Sequence, residues 1–190
     1  MSGGHGGHGA LEGTSKSVAL LISVLALFLA FSETLGKSAQ TNALGHNIDA
    51  SNLWAFFQAK TVRMTVVRTA AEGAELQRRS DDTALGEAIK KRADAWNATA
   101  ARWDSEPETG EGRKELAARA KKAEADAKTA LAKYHHFEVA SAAFQIAIVL
   151  ASAMLITGVA ALAWLSGGLG VVGAIMTAIG LFAPHAVHLF

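Results

Sequence analysis

The charge of this chain is partitioned, and that partition restricts what it can fold into more than any other feature. Of its 18 Lys and Arg residues 17 lie between Gly36 and His136, and so do 14 of its 17 Asp and Glu residues. The flanking stretches are nearly uncharged and strongly apolar. A soluble domain carries roughly a quarter of its residues as charges, spread along the whole chain. A charged middle between apolar ends is built for two solvents. The expected fold is an all-α membrane protein: three transmembrane helices, with a helical, coiled-coil-like cytoplasmic stalk between the first and second. The net charge of +1 gives no drive towards nucleic acid or an acidic substrate. Without Cys, disulfides, thiol catalysis, thiolate zinc sites and iron–sulfur clusters are excluded on this chain.

Residues 1–16 read as a flexible Gly/His tail. The first apolar segment, residues 17–35, has a charge-free core at 18–31 whose one polar residue is Ser23. A bilayer core about 30 Å thick needs about 20 apolar residues at about 1.5 Å each. Ser17, Ser32 and Thr34 are therefore expected near the headgroups. A cleaved signal peptide is the competing reading. Against it, only Lys16 beside Glu12 precedes the core, and no A-x-A-like site follows. The second segment, 137–165, has Glu138 at its edge and no other charge, and the third, 169–188, has none. In lipid every backbone amide must be bonded internally, so each is expected to be a helix. Ser166-Gly167-Gly168 reads as the tight turn of a helical hairpin. Lys16 is the one cation on the side of the N-terminus and hairpin, which by the positive-inside rule makes residues 36–136 cytoplasmic and the N-terminus external. Tyr134 and Trp164 bracket the second segment as an aromatic belt does.

The insert has helical periodicity throughout. Leu53, Trp54, Phe57, Met64, Val67, Ala71 and Ala74 mark one face of a first helix, with Asp49 or Ser51 as its cap. Ser80-Asp81-Asp82-Thr83 supplies a break. A second stripe follows: Leu85, Ile89, Ala93, Trp96, Ala100 and Trp103, in which Ile89, Trp96 and Trp103 recur every seven residues. The turn Glu106-Pro-Glu-Thr-Gly-Glu-Gly112 precedes a third helix starting near Arg113. Its stripe of Leu116, Ala120, Ala123, Ala127, Ala130 and Tyr134 is mostly alanine. It is expected to pair antiparallel with the 82–103 helix, tryptophans over alanines, and to run unbroken to Trp164.

Candidate chemistry is sparse. His5 and His8 sit in a glycine tract able to hold copper, nickel or zinc, but the amino-terminal copper/nickel motif needs His third and misses by one. Adjacent His135 and His136 point about 100° apart on a helix, which suits interfacial anchoring better than a shared metal. His185 and His188, three apart, share a helix face, with no third ligand nearby in sequence. Polar residues within the later segments include Gln145, Ser152, Thr157 and Thr177, with no charge among them, which does not suit a proton-coupled pump. Gly170, Gly173, Ala174, Thr177 and Ala178 form a small-residue stripe that lets helices approach closely in lipid, for self-association or for packing within the monomer. No P-loop, dinucleotide fingerprint, nucleophile elbow or H-E-x-x-H is present, so neither catalysis nor a cofactor is expected.

Two stretches carry a resemblance: Asn52-Leu-Trp-Ala-Phe-Phe-Gln-Ala-Lys60, with its W-A-x-x-Q-A-K motif, and Tyr134-His-His-Phe-Glu-Val-Ala140 running into Phe144-Gln-Ile-Ala-Ile-Val-Leu-Ala-Ser152. With the order of the three apolar segments, they resemble the bacterial membrane family known as domain of unknown function 4337, from about residue 17 to the C-terminus. The resemblance implies an inner-membrane protein with a cytoplasmic helical insert and carries no activity with it. It draws attention to Trp54, Phe57, Gln58 and Lys60 as contacts for headgroups or a neighbouring copy, with Trp96 and Trp103 as a second contact surface. The expected function is a non-catalytic scaffold or assembly protein in the bilayer, self-associating or attached to a larger membrane complex. A multimeric channel or metal-handling protein is the alternative.

Overall fold

The computed structural model describes residues 7–78 and 83–187, with side chains from residue 16 onward. It has four helices and, among the described residues, no strand: α1 (Gly7–Leu76), α2 (Thr83–Asp104), α3 (Arg113–Thr157) and α4 (Ala160–Phe182). Three of them, α1, α3 and α4, contain a stretch long and apolar enough to cross a membrane by length and composition. The chain divides into two compact units. One comprises Met1–Ala43 and Lys128–Phe190, the other Leu44–Ala127, and α1 and α3 contribute to both.

Two helix boundaries differ from those the sequence suggests. The first apolar segment and the first insert helix are one helix, with Asp49 and Ser51 in its interior rather than at a cap. Between them only Gly36 and Gly45 oppose helix, each by about 1 kcal/mol, while Ala39, Ala43 and Ala50 are buried along α1. Packing outweighs the glycines. Helix already begins at Gly7, so the second half of the expected flexible tail is helical. Residues 1–6, with His5, lie outside the described residues, as do Ser80, Asp81 and Asp82 of the expected break.

The hairpin turn also moves. Helix α3 stops at Thr157 rather than continuing to Trp164, and α4 begins at Ala160. Gly158 takes φ +73°, the left-handed conformation that glycine adopts without a β-carbon penalty. Its amide donates to the Met154 carbonyl at 2.8 Å. The Val159 amide donates to the Thr157 hydroxyl at 3.3 Å. Ser166, Gly167 and Gly168 lie inside α4 instead. The Ser166 hydroxyl is fully buried and donates to the Ala147 carbonyl at 2.7 Å, tying α4 to α3.

The unit formed by the chain's two ends packs α1, α3 and α4. Leu25 meets Ala140, Phe144 and Ala147 in its core, with Leu21, Leu29, Leu169 and Met176 around them. Val18, Ala151 and Met154 form a second cluster. Phe28 stacks on Phe144 at 5.8 Å between centroids. Leu20, Leu27, Phe31, Val149, Ile156 and Val171 point outwards and are exposed. An apolar exterior around a small-residue core is compatible with lipid as the surrounding solvent.

In the other unit the buried hydrophobic positions are Ala50, Met64 and Ala71 of α1, Ala93 and Ala100 of α2, and Leu116, Ala120, Ala123 and Ala127 of α3. The α2 seam is thus centred on alanines, and Trp96 and Trp103 sit half-buried beside it. The α2–α3 turn is held by charge. Asp104 receives the Arg113 guanidinium at 2.7 Å and the Lys114 ammonium at 3.0 Å. Glu115, in the first turn of α3, reaches back to accept from the Ser105 hydroxyl at 2.7 Å and the Glu106 amide at 3.1 Å. A β-carbon on Gly112 would collide with both the Glu115 carboxylate and the Glu106 amide nitrogen, so only glycine admits this return.

Candidate functional site

Helix α1 turns polar at Ser32, directly after its apolar core, and α3 turns apolar at Val139, directly after Glu138. Packing brings these two boundaries together. Ser32 is fully buried, with its hydroxyl 2.9 Å from that of Thr177. Thr177 donates its own proton to the Gly173 carbonyl at 2.9 Å, so Ser32 is the donor between the two hydroxyls. Glu33, one residue on, projects from another side of the helix and accepts from Gln145 Nε2 at 3.2 Å. Between the helices at this level lies a cavity of about 440 Å³. From α1 it is lined by Ser32, Glu33, Lys37 and Gln40, and from α3 by Tyr134, Glu138, Ser141 and Gln145, with Phe137 among them. The Glu138 carboxylate accepts from the Tyr134 hydroxyl at 3.3 Å and has His135 Nδ1 3.7 Å away. The cavity therefore combines two carboxylates, one ammonium and several neutral polar groups.

Histidine is distributed around the same end of this unit. His136 is buried, and its Nε2 lies 3.1 Å from the Pro184 carbonyl, which fixes Nε2 as the protonated nitrogen and leaves Nδ1 without a hydrogen-bond partner. His185 Nε2 lies 3.1 Å from the Thr129 hydroxyl. Helix α4 has ended at Phe182, before Pro184, so His185 is not on a helix face shared with His188. His188 lies outside the described residues. Among the described residues no three His, Asp or Glu side chains are grouped as a metal site.

The small-residue stripe of α4 divides into an inner and an outer set. A β-carbon at Gly173 would come within 2.8 Å of the Phe144 ring, and one at Gly170 within 2.7 Å of Leu25. Thr177 is buried on Ser32. These three residues are occupied within the monomer: without side chains at Gly170 and Gly173, Leu25 of α1 and the Phe144 ring of α3 can close on α4, and Thr177 meets Ser32. Ala174 and Ala178 are exposed.

The residues singled out in the insert have local partners. Trp54 Nε1 donates to Glu124 at 2.7 Å, and the Trp54 and Phe57 rings meet edge to face at 5.3 Å. Arg113 lies 5.6 Å over Phe57. Lys60 is turned into the insert. It is 8% exposed, 5.4 Å above the Phe56 ring, with its ammonium 3.8 Å from Glu106. Gln58 is exposed. Trp96 has Arg92 5.6 Å over its ring. Glu33 lies just beyond the charge-free core of the first segment, where nothing in the local sequence marks it as functional. Its signal was Gln145, a strong hydrogen-bonding group in an apolar helix that requires a partner.

The family described as domain of unknown function (DUF4337) matches residues 14–183. The chain belongs to the DUF4337 family. The DUF4337 match takes in α2, α3, α4 and nearly all of α1, and so includes the cavity, the α4 contacts and the insert. No curated protein and no solved structure matches the chain.

Proposed function

We propose that this DUF4337 chain is a non-catalytic integral protein of a bacterial inner membrane that works as a scaffold, self-associating or joining a larger membrane complex. It crosses the bilayer three times, with the N-terminus outside and residues 36–136 in the cytoplasm, and requires no cofactor or nucleic acid. The observation that carries this reading is the outward face of α4. Gly170, Gly173 and Thr177 are taken up inside the monomer, yet Ala174 and Ala178 continue the small-residue spacing on the exposed side, beside Val171 and Ile175. Small residues four apart on an exposed apolar helix let a second helix approach to backbone contact.

Native mass spectrometry of the untagged chain, extracted gently from its own membrane, tests this. A homogeneous multi-copy species, or stoichiometric co-purification with other subunits, is the expected result. A self-assembled species should dissociate when Ala174→Leu and Ala178→Leu are combined. A lone monomer sinks the proposal.

A further inference from the structure

We infer that the cavity between Glu33 and Glu138 binds the headgroup of an aminophospholipid, its carboxylates taking the primary ammonium and Lys37 the phosphate. The inference rests on reading the apolar helices as membrane spans. Depth comes first. The cavity lies where the charge-free core of α1 has just ended and that of α3 has just begun, which in a bilayer is the headgroup level. Towards the centre of the apolar segments the same helices expose mainly apolar side chains, Phe28 on α1 and Val149 on α3 among them, and the one exposed hydroxyl of the α1 core, Ser23, is bonded to the Ala19 carbonyl of its own helix, as an acyl chain requires.

The charges then select the ligand. Glu33 and Glu138 each accept one hydrogen bond within the chain, from Gln145 and Tyr134. A carboxylate has about four lone-pair positions, so both retain acceptor capacity facing the cavity. Acceptors select a cation that carries N–H donors, and a quaternary ammonium has none. Lys37 adds a positive charge to the same wall. A site with both signs disfavours a simple anion or a simple cation and suits a ligand with an ammonium two carbons from a phosphate. The cavity is open, with Glu33, Lys37 and Glu138 exposed along it, and at about 440 Å³ it falls within the range of small-ligand pockets, large enough for such a headgroup.

The test uses the full chain in nanodiscs of equal parts phosphatidylethanolamine, phosphatidylcholine and phosphatidylglycerol, released into a mass spectrometer. Membrane insertion is established first by resistance to alkaline carbonate. Preferential retention of phosphatidylethanolamine is expected. The Glu33→Gln, Glu138→Gln double variant should lower that preference about tenfold, the loss of one or more charge-assisted hydrogen bonds. Lys37→Met should weaken retention while leaving phosphatidylethanolamine ahead. Soluble phosphoethanolamine that displaces the lipid at millimolar concentration would identify the free headgroup as the ligand and overturn the lipid assignment. Equal retention of the three lipids by carbonate-resistant protein, or a preference that survives the double variant, overturns the inference and leaves the membrane reading intact. Release by carbonate overturns the membrane reading itself. Circular dichroism of each variant confirms that it is folded, and a singly substituted Glu138→Gln serves where the double variant is not.

Discussion

Asp104 closes the α2–α3 turn with two cations and a side chain only 20% exposed. The Lys114 ammonium, and after it the Arg113 guanidinium, hold its carboxyl below the usual carboxylate range. A depressed folded-state pKa stabilises the fold above the ordinary Asp value of about 3.9 and loses that contribution as pH falls through the lower folded value. Asp104→Asn should therefore unfold more easily at pH 7, by about 1 kcal/mol given the half-open geometry. The gap from the parent should narrow as the solution is taken to about pH 3. Thermal melts of the two full-length proteins at both pH values measure it. A gap that persists at low pH would mean that packing, not charge, ties the turn.

At the scale of elements, two glycine positions should respond with opposite signs. Gly158 needs a left-handed backbone, so Gly158→Ala is strained and should destabilise by about 1 kcal/mol. Gly167 is inside α4 with nothing near a notional β-carbon. Gly167→Ala should be neutral or stabilising by up to about 1 kcal/mol through helix propensity. Denaturant titration in detergent compares them, and the reverse order would return the turn to 166–168. The sequence misleads here for a physical reason. A Gly-Gly pair reads as a break in water, but here the buried Ser166 hydroxyl bonds α4 to the Ala147 carbonyl and the helix persists through the pair; under the membrane reading an unbonded amide in lipid would also cost several kcal/mol. Elsewhere the three- and four-residue spacing located α2 and the start of α3 closely. The same spacing places Lys60, three residues after Phe57 and four before Met64, on the apolar face, although its charge alone points to headgroups or a neighbouring copy. The cavity was the least legible feature. Glu33 and Glu138 are more than a hundred residues apart, and nothing local marks them as neighbours until α1 and α3 pack.

Considered as a whole molecule, the chain is suited to topology mapping, because it has no native Cys. Under the proposed orientation, Gly9→Cys should react with an impermeant maleimide added to intact spheroplasts. Glu111→Cys and Ala186→Cys should react only after permeabilisation. Labelling of Glu111→Cys in intact cells would invert the arrangement. The turn at Gly158 has a consequence for how such a chain is made. It carries no ionisable group, and both of its amides find acceptors within the turn or α3, Met154 for Gly158 and Thr157 for Val159. A connection without charge, with these two amides bonded, enters hydrocarbon at a lower desolvation cost than an open, charged loop. Under the proposed membrane reading, the end of α3 and all of α4 would then be handed to the bilayer as one prefolded piece during synthesis, with no charged loop to haul across.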